Sequence, residues 1–163
     1  MKPVHVSITV ALPREEVFDY LADIANHPEF TDHYLVDWRL TREESYGRGA
    51  GARFRLKAPL NRFDGADVTL IEVEPPHRIV MAGGAGKLNR IRTLTSYTLD
   101  PAAGGQTEVG FEVDTKPVLP SDRLMEAIAR PWFRRNAKKG LKRLRSILEE
   151  DVDRGARATI AGR

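Results

Sequence analysis

The chain has 163 residues and no cysteine. That absence excludes disulfide staples, thiolate zinc sites, iron–sulfur clusters and a cysteine nucleophile, and it fits a reducing compartment. Long apolar runs are also missing. The opening MKPVHVSITVALPREEV holds none of signal-peptide length, and no segment approaches the ~20 apolar residues of a membrane span. Together the two absences give the expectation of a cytoplasmic protein. Histidine is scarce, with four in all, and two of them stand in NHPEFTDH, residues 26–33. Metal-binding histidine pairs on a helix need i, i+4 spacing, whereas His27 and His33 are six apart with Pro28 between them. No metal site is expected there. The reading favoured for this stretch is a helix end with a polar rim, with an acid–base histidine as the lesser one.

Catalytic signatures are equally sparse. There is no Ser-His-Asp order, no convincing carboxylate pair and no cofactor fingerprint, so no catalytic residue and no cofactor is assigned. GRGAGAR at 47–53 runs into a strand pattern where a dinucleotide fingerprint needs a helix. GGAGK at 83–87 fails the phosphate-loop pattern at Met81 and Leu88. Both read as hairpin turns.

What is present is a clear pair of periods. VHVSITVA, residues 4–11, alternates Val4, Val6, Ile8 and Val10 with polar or small residues, as a half-buried strand does. Pro13 opens a helix carrying Val17, Leu21 and Ile24 on one stripe. Asn26 and Pro28 end it, because proline steers His27 away from helical angles, and a second short turn runs through Phe30. From Val36 to Lys116 the period is two, giving six strands joined by short turns, an antiparallel meander with one wet face and one dry one. The dry face needs a cover, and residues 121–150 supply it. Ser121 reads as the N-cap, Leu124, Ile128 and Trp132 form a first stripe, and the helix is expected to kink or restart at Pro131. Beyond it Phe133, Ala137, Gly140, Leu141, Leu144, Ile147 and Leu148 share one face; Arg134, Arg135, Lys138, Lys139, Lys142, Arg143 and Arg145 share the other. Nine basic residues stand against two acidic ones between Asp122 and Arg145 in a chain of net charge +3, so the positive surplus is local. Residues 1–150 make one domain, and 151–163 read as a disordered tail.

Along roughly residues 3–150 stand, in order, PREEVFDYLADIANHPEF, GRGAGARFR, VTLIEVEPPHRIV, TEVGFEV and a last helix with leucines at 141, 144 and 148. With this order of elements the chain resembles the START-like or Bet v 1-like superfamily (SRPBCC), which includes bacterial polyketide cyclase/dehydrase-like proteins and lipid-transport domains. It implies an α+β helix-grip fold, a seven-stranded curved antiparallel sheet around a long C-terminal helix with two short helices after the first strand. It also implies an apolar cavity between sheet and helix, bordered by the segment at Phe30 and Tyr34.

The candidate ligand-contacting residues are the inward strand positions Phe54, Leu56, Leu70, Met81, Thr95, Tyr97, Val109 and Phe111. Phe30 and Tyr34 join them from the helix pair, and Trp132, Phe133, Ala137 and Gly140 from the long helix. Each has a plain alternative as core. Ala137 and Gly140 put small side chains in mid-helix and, with the adaptable Met81 and the amphipathic Tyr97 on the opposing sheet, favour a cavity; the alternative is close helix–sheet approach, which small residues also permit. Polar partners for a ligand would come from Tyr97, Thr93, Thr95, Arg92 and Asp64, and Arg92 points out if Tyr97 points in. Three functions stay open. The first is carriage of a lipophilic molecule (lipid, polyketide or isoprenoid-like) by a monomer or dimer. The second is a cyclase or dehydratase reaction in the same cavity. The third is an interaction role in which the basic helix binds an anionic partner (RNA, ribosome or anionic membrane) through Arg134, Lys138, Lys142 and Arg145. Nucleic acid is disfavoured because no aromatic residues interleave with the cations.

Overall fold

The computed structural model describes residues 2–59 and 62–161. Seven strands form one antiparallel sheet: β1 (Val4–Val10), β2 (Leu35–Leu40), β3 (Gly51–Leu56), β4 (Gly65–Glu74), β5 (Arg78–Ala85), β6 (Ile91–Ala102) and β7 (Gln106–Lys116). Their order is β1-β7-β6-β5-β4-β3-β2, so the meander runs across the sheet and β1 closes onto β7. The α-helices are α1 (Arg14–Leu21), α2 (His27–Thr31) and α3 (Pro120–Glu150). The sheet curls into a half-barrel around α3, which is the helix-grip α+β architecture.

Alternation sets which face is dry. On β6, Thr95, Tyr97 and Leu99 are buried while Arg92 is exposed, so Tyr97 does point inward. At the α1 end of this dry face, Leu70, Ile79, Leu99 and Val109 pack with Val17, Phe18 and Leu21 of α1 and with Leu141, Leu144 and Ile147 of α3 in one continuous core. Toward the opposite end the layers part, because α3 packs chiefly on β1 and α2 and leaves the middle strands uncovered.

Curvature shows in two local features. Register shifts occur in β2 between Val36 and Arg39 and in β4 between Leu70 and Glu72, and such bulges bend a strand. At Gly83 on β5, an added Cβ would lie 1.8 Å from the Asp67 carbonyl oxygen of β4. Only glycine permits that approach.

Several sequence expectations change. His27 adopts helical angles (φ −60°, ψ −40°) and opens α2 with Pro28 following it. Proline is tolerated there because the first helical N–H groups have no intrahelical partner anyway. Helix α3 begins at Pro120 with Leu119 as its N-cap, and Ser121 does not cap it; Asp122 accepts the Leu119 N–H at 3.3 Å. It then runs through Pro131 without a restart. Pro131 and Ala127, the residue one turn earlier whose carbonyl loses a donor, are both exposed, so solvent can replace the missing bond. Arg143, expected on the solvent arc, is buried. It bonds Asp32 at 2.6 Å and donates to the Glu29 and Asp153 carbonyl oxygens, so its charge is spent inside the fold.

The segment after α3 is not a free tail over its described residues. Gly155 N–H donates to Glu29, Ala158 N–H to Ala25, and Leu40 N–H to Thr159, tying residues 155–159 across α2 and β2. Arg154 meets the buried Glu29 carboxylate at 3.0 Å, and Arg157 bonds Asp23 and Asn26. Composition marks this stretch as polar and small, yet its arginines find carboxylates that charge counting along the chain cannot locate.

Candidate functional site

Where α3 parts from the sheet, a pocket of about 440 Å³ lies between the sheet, α2 and the first half of α3. Its wall is mostly ring and aliphatic surface. Trp38 stacks on Phe54 with centroids 4.5 Å apart, Tyr97 tilts against Phe111 at 5.0 Å, and Tyr34 meets Trp132 and Phe133 edge-on at 6.1 and 5.8 Å. Such edge and offset contacts hold rings in fixed positions. Both tryptophans of the chain therefore line the pocket.

The candidate contact residues divide by position along the fold. Tyr34, Phe54, Leu56 and Met81 line the pocket, as do Thr95, Tyr97 and Phe111 on the sheet and Trp132 and Phe133 on α3. Phe30, Leu70 and Val109 do not; they sit in the core. Leu70 and Val109 share the inward face but stand at the α1 end, where the layers touch. Phe30 turns toward Tyr20 and His27, with centroids 6.2 and 5.7 Å away. Ala137 and Gly140 lie at the crossing of α3 over α2, where a Cβ on Gly140 would be 3.3 Å from the Phe30 carbonyl oxygen. Their small size serves close approach of the helices and not the pocket.

Polar groups reach the pocket at two places. Deep inside are His27, Tyr34, Tyr97, Thr95 and Thr31. His27 Nε2–H donates to the Leu21 carbonyl oxygen at 2.8 Å, which leaves Nδ1 unprotonated. Burial holds this imidazole neutral and pushes its pKa down to about 4. Burial raises the phenol pKa values of Tyr34 and Tyr97 above their ordinary range. The second place is the first half of α3, where Glu126 faces Thr115 of β7, Arg130 donates to the Pro3 carbonyl oxygen at 2.9 Å, and Arg90 pairs with Asp122 at 2.7 Å. Desolvation raises the Glu126 pKa. Its Oε2 is buried without a partner among the described residues, as is Nε of Arg130.

Of the other polar candidates, Thr93 and Asp64 line the pocket and Arg92 does not; Asp64 is held by Arg55 at 2.8 Å. His33 lies outside it. Its Nε2–H donates to Asn136 at 3.0 Å and its Nδ1 accepts from Arg143 at 2.9 Å, a structural pairing. The two histidines thus separate: His27 sees the pocket and His33 serves the joint between α2 and α3. Sequence reasoning missed Trp38, Met125, Glu126 and Arg130 as lining residues. Trp38 hides in the bulged β2, where alternation breaks. The other three fall on a helix turn shared with the exposed Leu124 and Ile128, which are 62% and 48% accessible. Among the described residues no cluster of His, Asp and Glu is arranged to hold a metal ion. No helix among them is long and apolar enough to cross a membrane. On α3, Arg134, Lys138, Lys142 and Arg145 are exposed.

Comparison with solved structures finds the same fold in proteins of distant sequence. The KanY protein, solved by NMR, superposes with a TM-score of 0.72 at 16% identity, covering 91% of this chain and 97% of that one. A protein from Thermus thermophilus gives 0.70 at 14% identity, covering 93% and 99%. Truncated norcoclaurine synthase from Thalictrum flavum gives 0.68 at 13%, covering 91% and 94%. Identities this low carry the fold alone. No curated protein matches the chain significantly in sequence. The family model for polyketide cyclase / dehydrase and lipid transport matches residues 1–149, and the chain belongs to that family.

Proposed function

We propose that the protein binds a lipophilic small molecule in the pocket between sheet and α3. The observation that carries this reading is the pocket itself, about 440 Å³ and walled by fixed aromatic rings. That volume lies within the ~300–1,000 Å³ typical of small-molecule sites. Burial of apolar ligand surface at ~25 cal/mol per Å² supplies the driving force. Family membership supports the same reading at the level of a ligand-binding domain. The test is thermal denaturation across a panel of fatty acids, isoprenoids and fused-ring aromatics, with native mass spectrometry of the protein as purified. A binder raises the melting temperature in proportion to the logarithm of its concentration. No shift from any class, with no co-purified mass, refutes the reading.

A reaction on the bound molecule is the second reading, favoured by the ionisable side chains His27 and Glu126 in the lining. A cyclase or dehydratase would fold a flexible chain against the rings and move a proton through one of these groups. Contact with an anionic partner through Arg134, Lys138, Lys142 and Arg145 is a third reading, supported by their exposure along one helix. Binding of this kind would weaken with salt and be lost on charge reversal at Lys138 and Lys142.

A further inference from the structure

Tyr34 and Tyr97 both line the pocket, one from the turn before β2 and one from the middle of β6. They are 2% and 3% exposed. Neither hydroxyl bonds to a protein group among the described residues, although Tyr20, on α1, gives its hydroxyl to Glu29 at 2.8 Å. Buried hydroxyls are normally paired, and this pair lines the pocket described above. Around them stand rings: His27 edge-on to Tyr97 at 5.7 Å, Phe111 beside it, and Trp132 and Phe133 against Tyr34.

We propose that Tyr34 and Tyr97 form a donor pair that receives the carbonyl oxygen of a neutral ring-bearing ketone or quinone, which specifies the ligand class for the pocket proposed above and rests on that reading. Two considerations select a neutral carbonyl. A phenol is a donor that an accepting oxygen satisfies, and two phenols match the two lone pairs of one carbonyl. A carboxylate or phosphate would need a cation beside it to offset its desolvation. Among the described residues that line this buried end, the basic group is His27, and its Nε2–H is committed to Leu21. The flat aromatic walls favour a fused ring over a saturated chain.

Fluorenone and fluorene are a matched pair of probes, alike in shape and differing in one carbonyl. Because both tryptophans line the pocket, intrinsic fluorescence quenching reads their binding directly. The expected result is that fluorenone binds the wild-type protein about 3–10-fold more tightly than fluorene, the usual worth of a hydrogen bond. In the double variant Tyr34→Phe, Tyr97→Phe that preference disappears, read as the ratio of the two probe affinities within the variant. Equal binding of the two probes by wild type, or a preference that survives in the double variant, overturns the donor pair and leaves the pocket reading standing. Binding of neither probe overturns the donor pair, and the pocket reading is then decided by the ligand panel and native mass spectrometry above. The melting temperature without ligand is the second measurement. Phenylalanine at both sites removes hydroxyls that no protein group satisfies, so it should hold or rise. A fall of more than a few degrees would make the hydroxyls structural and defeat the proposal.

Discussion

His27 stands edge-on to Tyr97 with ring centroids 5.7 Å apart, a buried imidazole set against a buried phenol on the pocket wall. The imidazole is neutral because protonation would place a charge where water cannot reach it. Its ordinary pKa of 6.5 falls to about 4 in the folded protein. A base depressed on folding contributes stability that is whole above pH 6.5 and is lost as pH falls toward 4. The full loss is about 3 kcal/mol. The urea midpoint should fall from pH 7 to pH 4.5 in that direction, and the His27 Cε1–H resonance should stay constant from pH 8 to pH 5.5. A midpoint of titration near 6.5 would contradict the burial argument.

Glu126 gives the opposite sign. Desolvation raises its pKa above the ordinary 4.5, so its contribution to stability is present below that value and is lost as pH rises. Glu126→Gln keeps the shape and removes the charge. The variant should melt above wild type at pH 7, and the difference should vanish at pH 4. Equal melting at both pH values would show that solvent reaches the carboxylate freely.

The fold is legible in the sequence because periodicity reports which face of an element is dry. Phe54, Tyr97 and Phe111 share their strands' buried alternation, and Leu141, Leu144 and Ile147 share one helix stripe. Periodicity does not report how far along that face two layers stay in contact. Leu70 and Val109 therefore look the same in sequence as Met81 and Phe111, though only the latter pair reaches the pocket. Gly140 shows the same limit: a small residue marks close approach, but not whether α2 or a ligand approaches. His27 departs from expectation for a different reason. The rule that a residue before proline avoids helical angles is a bias, and the first turn of α2 overrides it.

Arg143 joins three pieces of chain, pairing with Asp32 at 2.6 Å and Asp153 at 3.3 Å while donating to the Glu29 carbonyl oxygen at 3.0 Å. Arg143→Met preserves much of the packing and leaves those acceptors unpaired. The expected cost is about 1–3 kcal/mol by chemical denaturation, because the Glu29 carbonyl oxygen loses a buried charged donor while Asp32 and Asp153 stay open to solvent. Arg145→Met, at an exposed position on the same helix, should cost within about 0.5 kcal/mol. Equal effects would place Arg143 on the solvated face after all.

The segment beyond α3 predicts slow amide exchange where its polarity suggests fast. Gly155 and Ala158 donate to Glu29 and Ala25 at 2.9 Å each. Their amides should exchange at least about tenfold more slowly than that of the exposed Ala156 between them, and Arg154→Ala should erase the protection at Gly155. Exchange at unprotected rates throughout 152–160 would mean the segment does not dock.

The closure of β1 onto β7 sets the order in which the molecule can be assembled. Val4 pairs with Val113 and Val10 with Thr107, so the first strand waits for nearly the whole meander before its own ladder can form. Helix α3, which roofs the pocket and rests on β1, is made later still. During synthesis the meander thus emerges with its apolar face bare and one edge open, a state prone to self-association. Non-local closure of this kind makes folding slow compared with helical domains of similar size. A ring-shaped ligand present at that stage would meet the aromatic wall before the roof is in place.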